Sequence, residues 1–212
     1  MSNFKLISNP SLYSYQQYWT FEEFKQLLPE QKKDYEVHLT KLFKDDLNIQ
    51  SIVKKSSFLI LDVSTFNDQH WKRLTSLNDI SALHLSGCSQ LSSVEELQTL
   101  SQLSSLYLSG CYQLETLEGL QHLTQLSSLH LSGCSQLKSL ERLQHLTQLR
   151  ALTLRGCSQL NSLKELQHLT QLSSLTLQGC SQLESLKELQ HLTQFSYLRV
   201  EGCSNVNSLE EI

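Results

Sequence analysis

From Leu74 onward the apolar residues recur every third position, switch briefly to strict alternation, and return to threes. The cycle repeats every 23 residues, with units starting at Leu74, Leu97, Leu120, Leu143, Leu166 and Leu189. The shared frame is LxxLxxLxxLxLxGCxxLxxLxx, and residues 120–142 read LQHLTQLSSLHLSGCSQLKSLER. In SSLHLSG, Leu129 and Leu131 alternate with polar neighbours, which predicts a short half-buried strand. Gly133 then marks the turn that ends it. Leu120, Leu123, Leu137 and Leu140 are spaced by three, a pattern for 3₁₀ or irregular turns rather than long helices. No single unit surrounds its own leucines, so each needs stacked neighbours to complete burial and to pair its strand.

The same frame extends upstream in weaker form. Ile52, Phe58, Leu61, Val63, Phe66 and Trp71 fit it if one residue is deleted, so residues 51–73 read as a degenerate first repeat. Residues 1–50 lack the period. Thr20 and Glu23 form a capping box ahead of FEEFKQLL, and EQKKDYEVHLTKLF reads as a second amphipathic helix with Tyr35, Leu39, Leu42 and Phe43 on one face. The expectation is a helical N-terminal cap over 1–50, a degenerate repeat over 51–73 and six repeats over 74–212. At the other end the last unit is the least regular, with Phe195, Tyr197, Val200 and Val206, which raises self-association through that end.

The segment Leu126-x-x-Leu129-x-Leu131-x-x-Cys134-x-x-Leu137 resembles the leucine-rich-repeat family, and the period is similar to its internalin and phosphatase-regulator types. The resemblance implies an α/β leucine-rich-repeat solenoid, an arc with a parallel concave β-sheet and convex 3₁₀ or irregular turns. It implies a non-catalytic protein-binding module that engages a partner protein through the concave face. It also implies that the cysteine column is a buried structural position. The near-identical units, rich in Ser, Gln and Leu, look like the leucine-rich-repeat effectors of intracellular bacteria. That likeness places the protein in the cytoplasm, or translocated into a host cytosol without a classical signal peptide. An endogenous regulatory subunit or scaffold, as of a phosphatase, is the alternative, and an activity seated in the N-terminal segment is the third class.

Composition and motifs narrow the chemistry. Net charge is −4, and residues 74–212 carry seven Lys/Arg against twelve Asp/Glu, so no basic footprint for nucleic acid is present there. No apolar run approaches membrane-spanning length. Neither GxSxG, a P-loop, GxGxxG nor HExxH occurs, so no enzyme is expected. Cys88, Cys111, Cys134, Cys157, Cys180 and Cys203 share one column without CxxC spacing; they read as free thiols in a reducing compartment, not a zinc site. His122, His145, His168 and His191 form a second column, whose stacking would cost stability below about pH 6. The expectation is of no metal and no cofactor. Glu95, Glu118, Glu141, Glu165 and Glu188 read as a solvated convex face.

Candidate binding residues come from the strand positions that are not leucine. The position inside LxL reads His84, Tyr107, His130, Thr153, Thr176 and Arg199, and the next outward position reaches Arg155, Gln178 and Glu201 after three serines. Arg150 and Tyr197 stand just before the alternation. Tyr107 between two histidines gives an aromatic cluster, and Arg150, Arg155 and Arg199 make the other half cationic. Tyrosine and arginine are favoured interface anchors. A partner protein is therefore expected across this sheet, its acidic portion over Arg150 and Arg155.

Overall fold

The computed structural model describes residues 3–8, 17–20, 35–39, 58–63, 68–77 and 80–206. Ten strands among them form one sheet: β1 (Asn3–Ser8), β2 (Gln17–Thr20), β3 (Tyr35–Leu39), β4 (Phe58–Asp62), β5 (Ala82–Ser86), β6 (Ser105–Ser109), β7 (Ser128–Ser132), β8 (Ala151–Arg155), β9 (Ser174–Gln178) and β10 (Tyr197–Glu201). Their order is β10-β9-β8-β7-β6-β5-β4-β3-β1-β2. From β3 to β10 every neighbouring pair is parallel, while β1 runs antiparallel to both β2 and β3.

Register follows directly from the period. Leu106 lies beside Leu129, Leu129 beside Leu152 and Leu152 beside Leu175, so every leucine column becomes a line across the sheet. The inward leucines of β5 to β9 are sealed from water, with one continuous core running from Val63 to Cys203. Leu120, Leu137 and Leu140, predicted for turns, are equally buried. The convex side is built of 3₁₀ turns at Glu95–Thr99, Leu120–His122, Glu141–His145, Lys164–His168 and Lys187–His191. In the degenerate region an α-helix, α1 (Asp68–Thr75), takes that place and buries Leu74. Among the described residues no helix is long and apolar enough to cross a membrane.

Serines lock the rungs together. Ser104, Ser127, Ser173 and Ser196 each donate a side-chain hydrogen bond to the carbonyl one rung earlier, at 2.9–3.2 Å. The loss of conformational freedom is small for so short a side chain.

The N-terminal region departs from the helical expectation. Its described segments are strands, and Tyr35–Leu39, assigned by sequence to a second helix, is β3. Tyr35, Val37 and Leu39 alternate with Glu36 and His38, a period of two that also satisfies the i, i+4 spacing read as helical. The parallel edge of β4 supplies backbone partners for β3, and that tertiary pairing overrides local propensity. Thr20 closes β2. Glu23, Leu42 and Phe43 lie outside the described residues, as do residues 51–57 and 207–212.

Candidate partner-binding face

The polar positions of each strand face the concave side because their leucine neighbours face the core. His84, Tyr107, His130, Thr153, Thr176 and Arg199 stand side by side in one line across β5 to β10. The second line runs Ser109, Ser132, Arg155, Gln178 and Glu201. The sheet therefore brings together the residues that sequence had placed 23 positions apart.

Tyr107 and His130 stack face to face, with ring centroids 4.3 Å apart and planes 9° from parallel. His84 leans on the other side of Tyr107 at 5.8 Å, tilted by 48°. His84 Nε2 is 3.0 Å from Ser109 Oγ, and His130 Nε2 is 3.1 Å from Ser128 Oγ. Both imidazoles are held below the ordinary histidine pKa, His84 by burial. For His130 burial is the largest cause, followed by the positive charge of Arg155 and the presence of His84. Aromatic stacking of this geometry fixes the three rings as one half-buried platform.

The cationic half is smaller than its sequence suggests. Arg199 donates to Glu201 Oε1 through both Nε and Nη2, at 3.0 and 2.8 Å, so that guanidinium is neutralised on its own strand. Arg150 and Arg155 are exposed and have no ion-pair partner among the described residues. Thr153 of β8 and Thr176 of β9 are half-buried, and Gln178 is exposed. Tyr197 is 50% exposed at the last rung.

One aromatic escaped the sequence reading. Tyr112 follows Cys111 where the other five units have serine, and its side chain is 60% exposed. Its ring lies across the turn of the next rung, so that a Cβ added to Gly133 would sit 3.1 Å from a ring carbon. Tyr112 thus adds an exposed aromatic ring at the strand-ending edge of the same unit. A residue-by-residue comparison of columns would have found it.

The remaining columns hold structural roles. All six cysteines are buried and unbonded. Hydrogen bonding along the row, led by Cys134, and then burial hold Cys111 and Cys157 as neutral thiols, and Cys180 is raised by Cys157 and burial in the same way. Cys203 Sγ donates to the Glu201 carbonyl at 3.7 Å, so the thiols also tie the turn backbone. His122, His145 and His168 are exposed on the convex side, each 3.3–3.4 Å from the preceding glutamine amide. The imidazole stacking with aromatic partners lies on the concave face instead. The convex acids are not uniformly solvated: Glu165 is only 6% exposed and accepts from Ser139 Oγ at 3.3 Å, and Glu188 is half-buried with its Oε2 turned away from water. Glu165 occupies the column after Glu141, immediately before the buried Leu166.

A family model of the BspA type leucine rich repeat region matches residues 78–207 in six copies. Among solved structures, an internalin C2 of Listeria monocytogenes superposes with a TM-score of 0.61 at 16% identity, over 87% of this chain and 79% of that one. A chain of the mouse RP105/MD-1 complex superposes at 0.52 with 18% identity, over 76% of this chain but only 32% of its own length. Identities this low carry the fold and nothing finer. No curated protein sequence matches the chain.

Proposed function

Since this chain belongs to the BspA-type leucine-rich repeat family, we propose that it is a non-catalytic module that holds a partner protein on its concave sheet. Repeats of this fold are typically binding surfaces rather than enzymes. The observation that carries the reading is the contrast along the inner wall: a stacked His84–Tyr107–His130 platform beside two exposed arginines without an ion-pair partner among the described residues, on a background of serine. The platform offers flat aromatic area already ordered before contact, which lowers the entropic cost of binding. Arg150 and Arg155 match an acidic segment of the partner, with bidentate bonds to its carboxylates. Thr153 beside the arginines, and Thr176 and Gln178 on the next strand, supply adaptable hydrogen bonds along the rest of the wall. Arg199 and Glu201, already paired, contribute little to an acidic ligand.

The finer reading is of an effector acting on a host protein in the host cytosol. The near-identity of the six units and their Ser-, Gln- and Leu-rich surface support it. Affinity capture with the full chain from host-cell and from source-cell lysates tests it. Recovery of one partner from the host alone fits the effector. Recovery from the source cell alone makes the chain an endogenous regulatory subunit. Simultaneous truncation of Tyr107, Arg150 and Arg155 to alanine is expected to abolish capture while leaving the far-ultraviolet spectrum intact. Undiminished capture by that variant would place the partner elsewhere.

A further inference from the structure

Among the described residues β10 is an edge strand of the sheet, and its rung has three coordinated features. First, its apolar side chains are incompletely covered: Phe195, Leu198, Val200 and Val206 are half-buried, whereas the equivalent Leu175 and Leu177 one rung inward are sealed. Second, the hydrogen-bonding phase of β10 is fixed. The Tyr197 amide donates to Ser173 and the Glu201 carbonyl accepts from Gly179, so the odd-numbered residues face β9. By alternation the backbone groups of Leu198, Val200 and Gly202 face outward, away from the sheet. Third, the concave side of β10 carries opposite charges two residues apart, Arg199 and Glu201, one on each side of Val200.

We infer that this edge is the docking surface for a second copy of the same chain, paired antiparallel about a two-fold axis at Val200. In that register Val200 lies opposite the partner's Val200, with its outward amide and carbonyl exchanging both hydrogen bonds. Leu198 and Gly202 then pair across the axis in the same phase. The charges follow without adjustment: Arg199 lies opposite the partner's Glu201 and Glu201 opposite the partner's Arg199, giving an alternating square of four charges. Shifting the axis to residue 199 or 201 would set like charges against each other, which is unfavourable. A two-fold contact is closed, so the assembly stops at two copies. The half-covered apolar groups of the two end rungs meet beneath the joined strands and complete each other's burial. Both concave faces then lie on one side of a continuous sheet.

Sedimentation velocity on the full chain over a concentration series tests this. A concentration-dependent dimer is expected, and a strict monomer at the highest attainable concentration would overturn the inference. Arg199→Glu places two acids against two acids, and Glu201→Arg places two bases against two bases. Each alone is expected to weaken self-association at least about tenfold. Mixed together, the two variants should form a heterodimer, because every cross-axis pair becomes opposite in charge while neither chain keeps its internal ion pair. Undiminished self-association of both single variants, or no recovery on mixing, excludes the edge. Hydrogen exchange of the unaltered chain is an independent readout: the Leu198, Val200 and Gly202 amides should slow as concentration rises, and concentration-independent exchange would count against the pairing.

Discussion

At the scale of single residues, identical letters do different work according to backbone and neighbours. Gly119 is the clearest case. It stands where the other units have Glu96, Arg142, Glu165 and Glu188, with φ at +100° at the start of a 3₁₀ turn shortened to three residues. A Cβ there would lie 2.6 Å from Glu95 Cα and Val94 O. Gly119→Ala is therefore expected to cost about 3 kcal/mol in chemical denaturation. Gly156→Ala, at φ +64° with its nearest atoms at 3.6 Å, should cost only the backbone strain, about 1–2 kcal/mol. Equal losses would mean that crowding at Gly119 is relieved by a shift of the turn. A second residue-scale expectation concerns pH. His84 and His130 have folded pKa values below the ordinary 6.5. The unfolded chain thus binds protons first as pH falls, so stability is whole above about pH 6.5 and declines below it. The melting temperature should drop between pH 7 and pH 5, and the double variant His84→Gln, His130→Gln should flatten that drop. A drop of unchanged size in the variant would assign the effect to other groups.

At the scale of elements, the unit is the rung. Its strand, its glycine turn and its 3₁₀ turn were legible because each follows from a local spacing of leucines. The N-terminal strands were not, because YEVHL satisfies both a two-residue and a four-residue period, and only the neighbouring edge of β4 decides between them. Position in the stack should also set the weight of equivalent side chains. Leu129 of β7 is wholly buried between two rungs, whereas Leu198 of β10 has, among the described residues, a rung on one side. Leu129→Ala is expected to destabilise by about 3–5 kcal/mol and Leu198→Ala by about half as much, measured by denaturant unfolding below the dimerisation range. Comparable values would mean that the end rung is covered within one chain.

At the scale of the whole molecule, stability accumulates from rung-to-rung contacts, so rungs are removable in whole units. Deleting residues 166–188 joins two compatible rungs and should leave a folded, less stable solenoid that still captures the partner, though more weakly for want of Thr176 and Gln178. Deleting residues 143–165 should also leave a folded chain, but one that has lost Arg150 and Arg155 and with them the binding. Circular dichroism and affinity capture on both deletions separate the two effects; retained capture in the second would contradict the proposed face. Periodicity within one unit is enough to dictate the repeat, its strand phase, its buried leucines and cysteines, and which polar columns line the concave wall. Tertiary structure alone decided which of those wall residues act together. Stacking turned His84, Tyr107 and His130 into one platform, the rotamers of Arg199 and Glu201 paired them on one face of β10, and the contact with Ser139 one rung earlier held Glu165 inside. Those outcomes depend on distances between neighbouring rungs and on rotamers, which a spacing of letters does not encode.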